Sequence, residues 1–368
     1  MKQQKIRASL IRGGTSKGLF LNEDDLPKNS KQRDSLLLSI MGSPDSTGMQ
    51  LDGLGGGISS TSKVALISKS GRKNIHINYL FGQVSLTNPK IDWSGSCGNL
   101  VAGVALYAIN ESLVKPNKDG SAQISIWQAN LNHEIHVKVY PPIEENLISI
   151  PGVPGKSFAI YVDFINPSPS LLPENKPIHI LTLPNGKKIE ATLISGANPT
   201  IFVNATDLGL AGDELPKNLD FKKIELLINA LSFQGTQIMN IPNSLAVRVA
   251  WVSPPKDCRT SDDFNIKANE CDLLSRIATE GRIHHAYTGT GAINLACAVK
   301  IPNSIPNKIV KNKANSKPLR IAHPMGVMLV DANIVQDPKT RHWIATNAGF
   351  MRTARILMQG VVYTKSSL

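Results

Sequence analysis

The sequence of 368 residues has few cysteines, few aromatic residues and no long hydrophobic run. Its four cysteines, Cys97, Cys258, Cys271 and Cys297, form no CxxC pair and show no histidine spacing typical of zinc sites. A disulfide framework is therefore not indicated. No run approaches the roughly 18 to 20 apolar residues of a membrane helix, and the first residues lack the apolar core of a signal peptide. We expect a soluble protein of the reducing cytoplasm, without a membrane partner.

Aromatic residues make up 5% of the chain and the lysines are scattered, which argues against a nucleic-acid partner despite a formal net charge of +12. The basic balance suits an anionic small molecule or simply a solvated surface. With 41% hydrophobic and 18% charged residues, the composition is that of a globular protein. Because the length exceeds what one hydrophobic core usually supports, we expect two domains.

A cysteine set among small residues, in the segment SGSCGNL at residues 94–100, directly precedes an apolar run at residues 101–109. The run predicts a buried helix with Cys97 at its N-terminal end. The unpaired N–H groups and the helix dipole at such an end favour negative charge, which stabilises a thiolate and also holds a substrate carboxylate. The alternative is a packed structural cysteine, because most free cysteines are buried. The segment alone supports both interpretations.

A glycine-rich turn, RGGTSKG at residues 12–18, joins two strand-like segments near the start of the chain. Its backbone N–H groups, beside Arg12 and Lys17, form either an anion nest or an ordinary hairpin turn. The GxxxxGK[ST] spacing of a Walker loop is absent. We favour the anion nest because similar clusters of glycine, serine and threonine recur along the chain.

The next such cluster, DGLGGGISSTSK at residues 52–63, leads into the apolar run at residues 64–67 and ends in Lys63. A lysine at such a junction is usually exposed and without a chemical role. When it is partly desolvated near a helix N-terminus, it can instead transfer protons.

The order of elements repeats, because a second small-residue loop, at residues 282–291, precedes a helix-like run at residues 292–299. The proline-rich stretch at residues 141–177 separates the two halves and predicts the crossing between domains. The remaining apolar segments predict strands at residues 6–11, 19–21, 64–67, 75–80, 83–86, 122–128, 134–140, 188–195, 201–203, 246–252, 327–330 and 343–346, and helices at residues 222–231 and 270–277.

Six segments in order resemble the PrpF family of 2-methylaconitate cis-trans isomerases: RGGTSKG at 12–18, SSTSK at 59–63, CGNL at 97–100, NP at 198–199, HHAYTGTG at 284–291 and the tail at 352–363. The resemblance runs from about residue 6 to the C-terminus. It implies an α+β protein of the diaminopimelate epimerase-like fold. Two pseudo-symmetric domains, each a curved, largely antiparallel sheet around a central helix, would enclose an interdomain active-site cleft. The implied domains are residues 1–183, with 345–368 returning to them, and residues 184–344.

The resemblance implies Lys63 and Cys97 as an acid/base pair that isomerises an unsaturated tricarboxylate without metal or cofactor. Related two-base epimerases carry a second cysteine where this chain has Thr288, and a threonine hydroxyl is too weak an acid to replace a thiol unaided. Racemisation by two thiols is therefore disfavoured, and Cys297, inside the second helix, is interpreted as a packing residue. The expected substrate-binding residues are Arg12, Gly13, Gly14, Thr15, Ser16, Lys17, Ser62, Ser96, Gly98, Asn99, Asn198, Thr288, Gly289, Thr290, Gly291, His323 and Met325.

Two positions depart from the family's pattern, because Met325 replaces a small residue and Ser96 stands where asparagine is common. The substrate therefore stays open between 2-methylaconitate or aconitate and 4-oxalomesaconate, whose tautomerases and double-bond Delta-isomerases share these motifs. A third hypothesis is a non-catalytic accessory protein that binds anions. The family also implies a role in propionate catabolism through the methylcitrate cycle, and we expect a homodimer.

Overall fold

A computed structural model describes residues 4–168, 170–196, 198–219, 221–241, 247–279, 282–310 and 318–364. The helices are α1 Ser30–Met41, α2 Gly98–Asn110, α3 Phe221–Ile238, α4 Gly289–Lys300 and α5 Ile305–Ile309. The strands are β1 Lys5–Gly13, β2 Ser16–Asn22, β3 Lys63–Lys69, β4 Ile77–Val84, β5 Ile91–Asp92, β6 Ala122–Gln128, β7 His133–Val139, β8 Leu147–Ile148, β9 Ser157–Phe158, β10 Ile160–Ser168, β11 His179–Thr182, β12 Lys188–Ile194, β13 Thr200–Asn204, β14 Arg248–Ser253, β15 Cys258–Arg259, β16 Asn265–Ile266, β17 Leu273–Thr279, β18 Arg282–Ile283, β19 Leu319–His323, β20 Gly326–Gln336, β21 Trp343–Arg352 and β22 Ala354–Tyr363. Over the described ranges, no helix is long and apolar enough to cross a membrane.

The chain divides into two compact units. The first comprises Met1–Val162 together with Arg352–Leu368, and the second comprises Asp163–Met351. The C-terminal strand β22 rejoins the first unit because it pairs antiparallel with β1 along the whole of that strand.

The boundaries of the units differ from the domain limits inferred from the sequence, which were residue 183 and residue 345. Residues just after 162 already bond within the second unit, since the Asp163 carboxylate accepts two hydrogen bonds from Asn347. Farther along, the Leu171 N–H donates to the carbonyl of Trp343. Prolines indicate turns but not which unit a residue packs in. The proline-rich stretch at residues 141–177 therefore continues past residue 162, where the chain passes from the first unit to the second.

Both units have the same strand order. In the first unit β22, β1, β2, β3, β4, β6 and β7 are successive neighbours, and the pairs β2–β3 and β4–β6 are parallel. In the second unit β11, β12, β13, β14, β17, β19 and β20 follow one another, and the corresponding pairs β13–β14 and β17–β19 are parallel. The other neighbours in these two series are antiparallel. The predicted α+β class and its pseudo-symmetric halves are therefore confirmed.

The helices also correspond between the units. A parallel pair needs a crossover, and α1 connects β2 to β3 as α3 connects β13 to β14. The second crossover carries α2 between β4 and β6, and α4 between β17 and β19. Residues of α2 and α4 are buried on all sides over most of their length, which is why both sequences are apolar without an amphipathic stripe.

One predicted element, the helix at residues 270–277, is wrong. Residues 270–272 belong to no helix or strand, and residues 273–277 belong to strand β17, whose residues from Leu273 to Ala278 are all buried. A strand that is buried on both faces need not alternate apolar and polar residues, and without that alternation its sequence cannot be distinguished from a helix by periodicity. Residues 75–80 and 83–86 belong largely to the single strand β4, and the predicted strand at 246–252 is β14, with residue 246 outside the described residues.

The turn between β1 and β2 lies directly against the N-terminus of α2. A Cβ atom on Gly13 would be 2.6 Å from the carbonyl oxygen of Asn99 and 2.9 Å from Cα of Leu100. Gly14 has a φ of +51°, and its Cβ would be 2.6 Å from Oδ1 of Asn99. The two glycines are therefore required so that the backbone of the turn can contact the first turn of α2.

We predict that Gly13→Ala lowers the free energy of unfolding by about 1–3 kcal/mol, because the obstructing atoms are backbone atoms of a buried helix. The matched control is Gly71→Ala, since a Cβ on the exposed Gly71 would have nothing within 4 Å. Equilibrium denaturation with urea measures both variants. A Gly13→Ala protein as stable as the Gly71→Ala protein would contradict the close approach.

Candidate active site

Cys97 is the N-cap residue of α2, where its backbone is extended and its side chain makes no capping hydrogen bond. The half-buried thiol instead donates to Oγ of Ser16, with 3.9 Å between sulfur and oxygen. No acidic residue lies in the first turn of α2. The thiol therefore lies at the positive end of a buried helix dipole, where a thiolate or a bound carboxylate is stabilised.

A hydrogen-bonded chain holds this end of α2 against the glycine turn. Nδ2 of Asn99 donates to Oγ1 of Thr15 at 3.1 Å, and Nε of Arg352 donates to Oδ1 of Asn99 at 2.8 Å. Burial lowers the pKa of Arg352 to about 9, and the charge on Cys97 opposes this shift. Burial disfavours the charged guanidinium of Arg352, whereas a negative charge on Cys97 favours it. Opposite charges at these two residues would therefore stabilise each other.

The predicted anion nest is braced from the tail of the chain. The Gly14 N–H donates to the carbonyl of Thr353 at 2.9 Å. Nη1 of Arg12 donates to the carbonyls of Gly14 and Thr353 and to the hydroxyl of Thr353. Burial, with a smaller contribution from the charge of Arg355, lowers the pKa of Arg12. In this structure Arg12 holds the turn together, and its predicted contact with substrate stays a prediction.

Lys63 opens strand β3 and is buried. Nζ of Lys63 donates to Oε1 of Gln83 at 2.5 Å and lies 5.1 Å from the ring centroid of Phe81. The orientation of Gln83 is fixed, since its amide nitrogen donates to the carbonyls of Ser59 and Ser62. The amide oxygen of Gln83 therefore faces the ammonium group and holds the side chain of Lys63 on the face of the sheet that Phe81 occupies.

Lys63 and Cys97 both lie beside strand β2. Ser16 and Gly18 share one face of this strand, because side chains alternate along it. Ser16 contacts Cys97, whereas a Cβ on Gly18 would be 3.3 Å from Cβ of Lys63. Positions two residues apart in a strand are separated by about 7 Å. The cysteine and the lysine thus approach the same face of β2 at adjacent positions.

Other residues predicted in the first unit are buried near the same helix end. Gly98 and Asn99 at the start of α2 are buried, as is Ser96, which precedes the N-cap residue. Lys17 is half-buried, and its backbone N–H donates to the carbonyl of Ser60. The hydroxyl of the fully buried Ser62 donates to Oε1 of Gln50. That hydroxyl braces the glycine-rich loop, and substrate binding by Ser62 stays a prediction.

In the second unit the N-cap of α4 is Thr288, whose hydroxyl accepts the Gly291 N–H at 3.1 Å. Two residues later, the hydroxyl of Thr290 accepts Nδ2 of Asn198 at 3.2 Å. Gly289, Thr290 and Gly291 are all buried. Here too the structure brings the predicted residues together at the start of a buried helix, with a capping hydroxyl in the place of the thiol.

His323 and Met325 belong to the turn between β19 and β20. Nδ1 of the buried His323 accepts the backbone N–H of Met325 at 3.2 Å, and the ring of His323 lies 6.3 Å from the ring of Tyr287. Tyr287 immediately precedes Thr288. The structure therefore connects this turn to the α4 region through Tyr287, while the contact of Met325 with substrate stays a prediction.

Three residues were missed by the sequence analysis as members of these clusters: Gln83, Arg248 and Arg352. Nη1 of Arg248 donates to the hydroxyl of Thr288 at 3.4 Å and to that of Thr290. The repeat in the order of elements was a usable signal for Arg248, because it opens β14 as Lys63 opens β3. Gln83 and Arg352 are far from their partners in sequence, and only the folded chain connects them.

The family model described as "PrpF protein" matches residues 3–365. The 2-methyl-aconitate isomerase of Shewanella oneidensis is 34% identical, over 98% of this chain and 97% of its own. The solved structure of a methylitaconate-delta-isomerase is similar with a TM-score of 0.77 and 28% identity, covering 99% of this chain and 97% of that one. A hydroxyproline epimerase from Agrobacterium vitis, 12% identical with a TM-score of 0.60 over 98% of this chain and 93% of its own, shares the fold.

We predict that limited treatment with iodoacetamide modifies Cys97 before the other cysteines. Burial raises the pKa of Cys258, that of Cys271 to about 11 and that of Cys297 to about 12, so these thiols carry little thiolate at neutral pH. Peptide mapping by mass spectrometry at partial modification measures the order. Cys97→Ser should lose the first phase of modification, and earlier labelling of any of the three buried cysteines would contradict the prediction.

Proposed function

This chain belongs to the PrpF family and is an isomerase, and from that premise we propose that it isomerises an unsaturated tricarboxylate with Lys63 and Cys97 as its acid/base pair. The 2-methylaconitate or aconitate type of substrate is favoured, because the Shewanella oneidensis relative is named for this chemistry. The observation that carries the proposal is the approach of Cys97 and Lys63 to adjacent positions on one face of β2.

The proposed roles follow from the charges around each group. Cys97 lies at the N-terminus of α2, where the helix dipole stabilises negative charge, and it interacts with the buried cation of Arg352. Lys63 donates to the amide oxygen of Gln83 and is the ammonium partner. We therefore assign the base to Cys97 and the acid to Lys63.

The reaction then balances without any further reactant. The thiolate takes a proton from an allylic carbon next to a carboxylate, and the electron pair of the broken C–H bond is delocalised over the double bond and that carboxylate. The ammonium of Lys63 gives a proton to carbon, and the double bond re-forms in a new position or geometry. Proton transfer between the two groups restores the starting state. Such acid–base steps contribute about 10²- to 10⁴-fold each.

The substrate carboxylates are proposed to bind at the start of a buried helix, because the first N–H groups of a helix have no acceptor within the helix. In the first unit these are the N–H groups of Gly98 and Asn99 at the start of α2, next to the turn from Gly13 to Ser16. A helix N-terminus is suited to anions because its donors and its dipole act together. These donors would also stabilise the charge that develops on the carboxylate during proton removal.

Two-thiol racemisation is not favoured by the second unit. Thr288 occupies the N-cap of α4, where its hydroxyl accepts the Gly291 N–H. A hydroxyl used as a helix cap, with a far higher intrinsic pKa than a thiol, is not a second proton-transferring group of the same kind. The fold shared with the hydroxyproline epimerase therefore does not carry its activity over to this chain.

A double-bond shift on a related acid is the second candidate, since one solved structure similar to this chain is named methylitaconate-delta-isomerase. The pair of Lys63 and Cys97 would serve this reaction, or the tautomerisation of 4-oxalomesaconate, by the same proton transfers. Assays of 2-methylaconitate, trans-aconitate, methylitaconate and 4-oxalomesaconate side by side distinguish these substrates. Turnover of none of them, with binding of all, would favour an accessory anion-binding protein instead.

The cellular setting belongs to the same proposal. The four cysteines are free, as expected for a protein of a reducing cytoplasm. A place in propionate catabolism follows if 2-methylaconitate is the substrate. The expected homodimer is tested by light scattering of the purified protein.

We predict that Cys97→Ala and Lys63→Met each lower kcat for trans-aconitate by at least about 100-fold, because each removes one proton-transferring group. Lys63→Arg should be nearly as inactive, since guanidinium retains the charge but does not release its proton. Cys258→Ala, which changes a cysteine outside the cluster, is the matched control and should keep the parent rate. A Cys97→Ala enzyme with parental kcat would overturn the role of Cys97.

A further inference from the structure

The position of Lys63 in the first unit is defined by the strands on either side of it. The next residue, Val64, pairs with Leu19 of the parallel strand β2 and with Gly82 of the antiparallel strand β4. Lys63 is therefore the first residue of β3, which lies between β2 and β4 in the sheet.

The second unit has an arginine at the equivalent position. Arg248 is the first residue of β14, and the next residue, Val249, pairs with Ile201 of the parallel strand β13 and with Ala278 of the antiparallel strand β17. Val249 is thus paired with a parallel strand on one side and an antiparallel strand on the other, as Val64 is in the first unit. Arg248 is thus the structural counterpart of Lys63 in the second unit.

The helix ends correspond in the same way. Cys97 is the N-cap of α2 and Thr288 is the N-cap of α4. The second unit therefore carries Arg248 and Thr288 where the first carries Lys63 and Cys97. Arg248 directly contacts this counterpart of the cysteine, since its Nη1 donates to the Thr288 hydroxyl at 3.4 Å and also to the hydroxyl of Thr290.

The replacement changes what the position can do. Arginine stays protonated in proteins, so it cannot exchange protons as a lysine does. Its planar guanidinium instead offers several donors that match a carboxylate. The positive end of a helix dipole repels a cation that lies beside it. An anion that binds between the cation and the helix N-terminus is attracted by both and offsets this repulsion. Arg248 is half-buried, so it is shielded enough to strengthen a charged contact but still accessible to a ligand.

We propose that Arg248, which contacts the N-cap residue of α4, binds a carboxylate of the substrate. This inference deepens the proposed function and rests on it. It assigns to Arg248 a specificity role: substrates that carry the recognised carboxylate are selected over those that lack it.

The test compares Arg248→Met, Arg248→Gln and Arg248→Lys in the full-length enzyme, with Arg259→Met at an exposed arginine of the same unit as the matched control. KM and kcat are measured for trans-aconitate and for the dicarboxylates itaconate and mesaconate. Removing one charged hydrogen-bonded contact should raise KM for trans-aconitate about 10- to 100-fold. The value of kcat should change much less, and Arg259→Met should change neither.

Arg248→Gln separates binding from structure, because glutamine can still donate to the hydroxyl of Thr290. The inference requires Arg248→Gln to melt at the parental temperature and yet to lose affinity for trans-aconitate. It also requires the preference for trans-aconitate over at least one dicarboxylate to shrink in Arg248→Met. Parental KM values in both uncharged variants would overturn it.

A failure of the proposed function gives a different result. If the parent enzyme turns over none of these acids, the isomerase substrate is wrong, and calorimetric titration with trans-aconitate still tests Arg248. Binding that weakens in Arg248→Met but not in Arg259→Met supports the carboxylate contact. Equal binding by the parent and both variants, or the absence of binding by the parent, contradicts it.

Discussion

The close approach of a tight turn to the N-terminus of a buried helix is the constraint on which the candidate sites depend. In the first unit, Gly13 leaves no room for a Cβ against the backbone of α2. In the second, a Cβ on Gly196 would be 1.9 Å from the side-chain oxygen Oδ1 of Asn294, in the second turn of α4. Because the helices are buried, their unpaired N–H groups act in a shielded environment, where interactions with anions are strongest.

The two units use the same backbone for different chemistry. The first unit has a thiol at the N-cap of α2 and an amine at the start of β3, and both groups can exchange protons. The second unit has a hydroxyl at the N-cap of α4 and a guanidinium at the start of β14, and neither group exchanges protons readily near neutral pH. Under the proposed roles, equivalent backbone positions would serve proton transfer in the first unit and carboxylate recognition in the second.

The sequence predicted the features that are local in the chain. Small residues before an apolar run identified both buried helices, and Cys97 at the N-cap of α2 followed from that pattern. Strand β17 was predicted as a helix because burial of both faces removes the alternation that distinguishes a strand. Arg352 was not predicted in the cluster because its partner Asn99 is 253 residues away, a distance that no local pattern spans.

The central claim is that Cys97 removes a proton from carbon and Lys63 returns one, and solvent deuterium exchange tests it most directly. In D₂O, the account predicts that Lys63→Met still incorporates deuterium into trans-aconitate, because the thiolate remains, whereas Cys97→Ala incorporates none. Mass spectrometry or proton NMR of the recovered acid measures the exchange. Exchange at the parent rate in Cys97→Ala would contradict the claim.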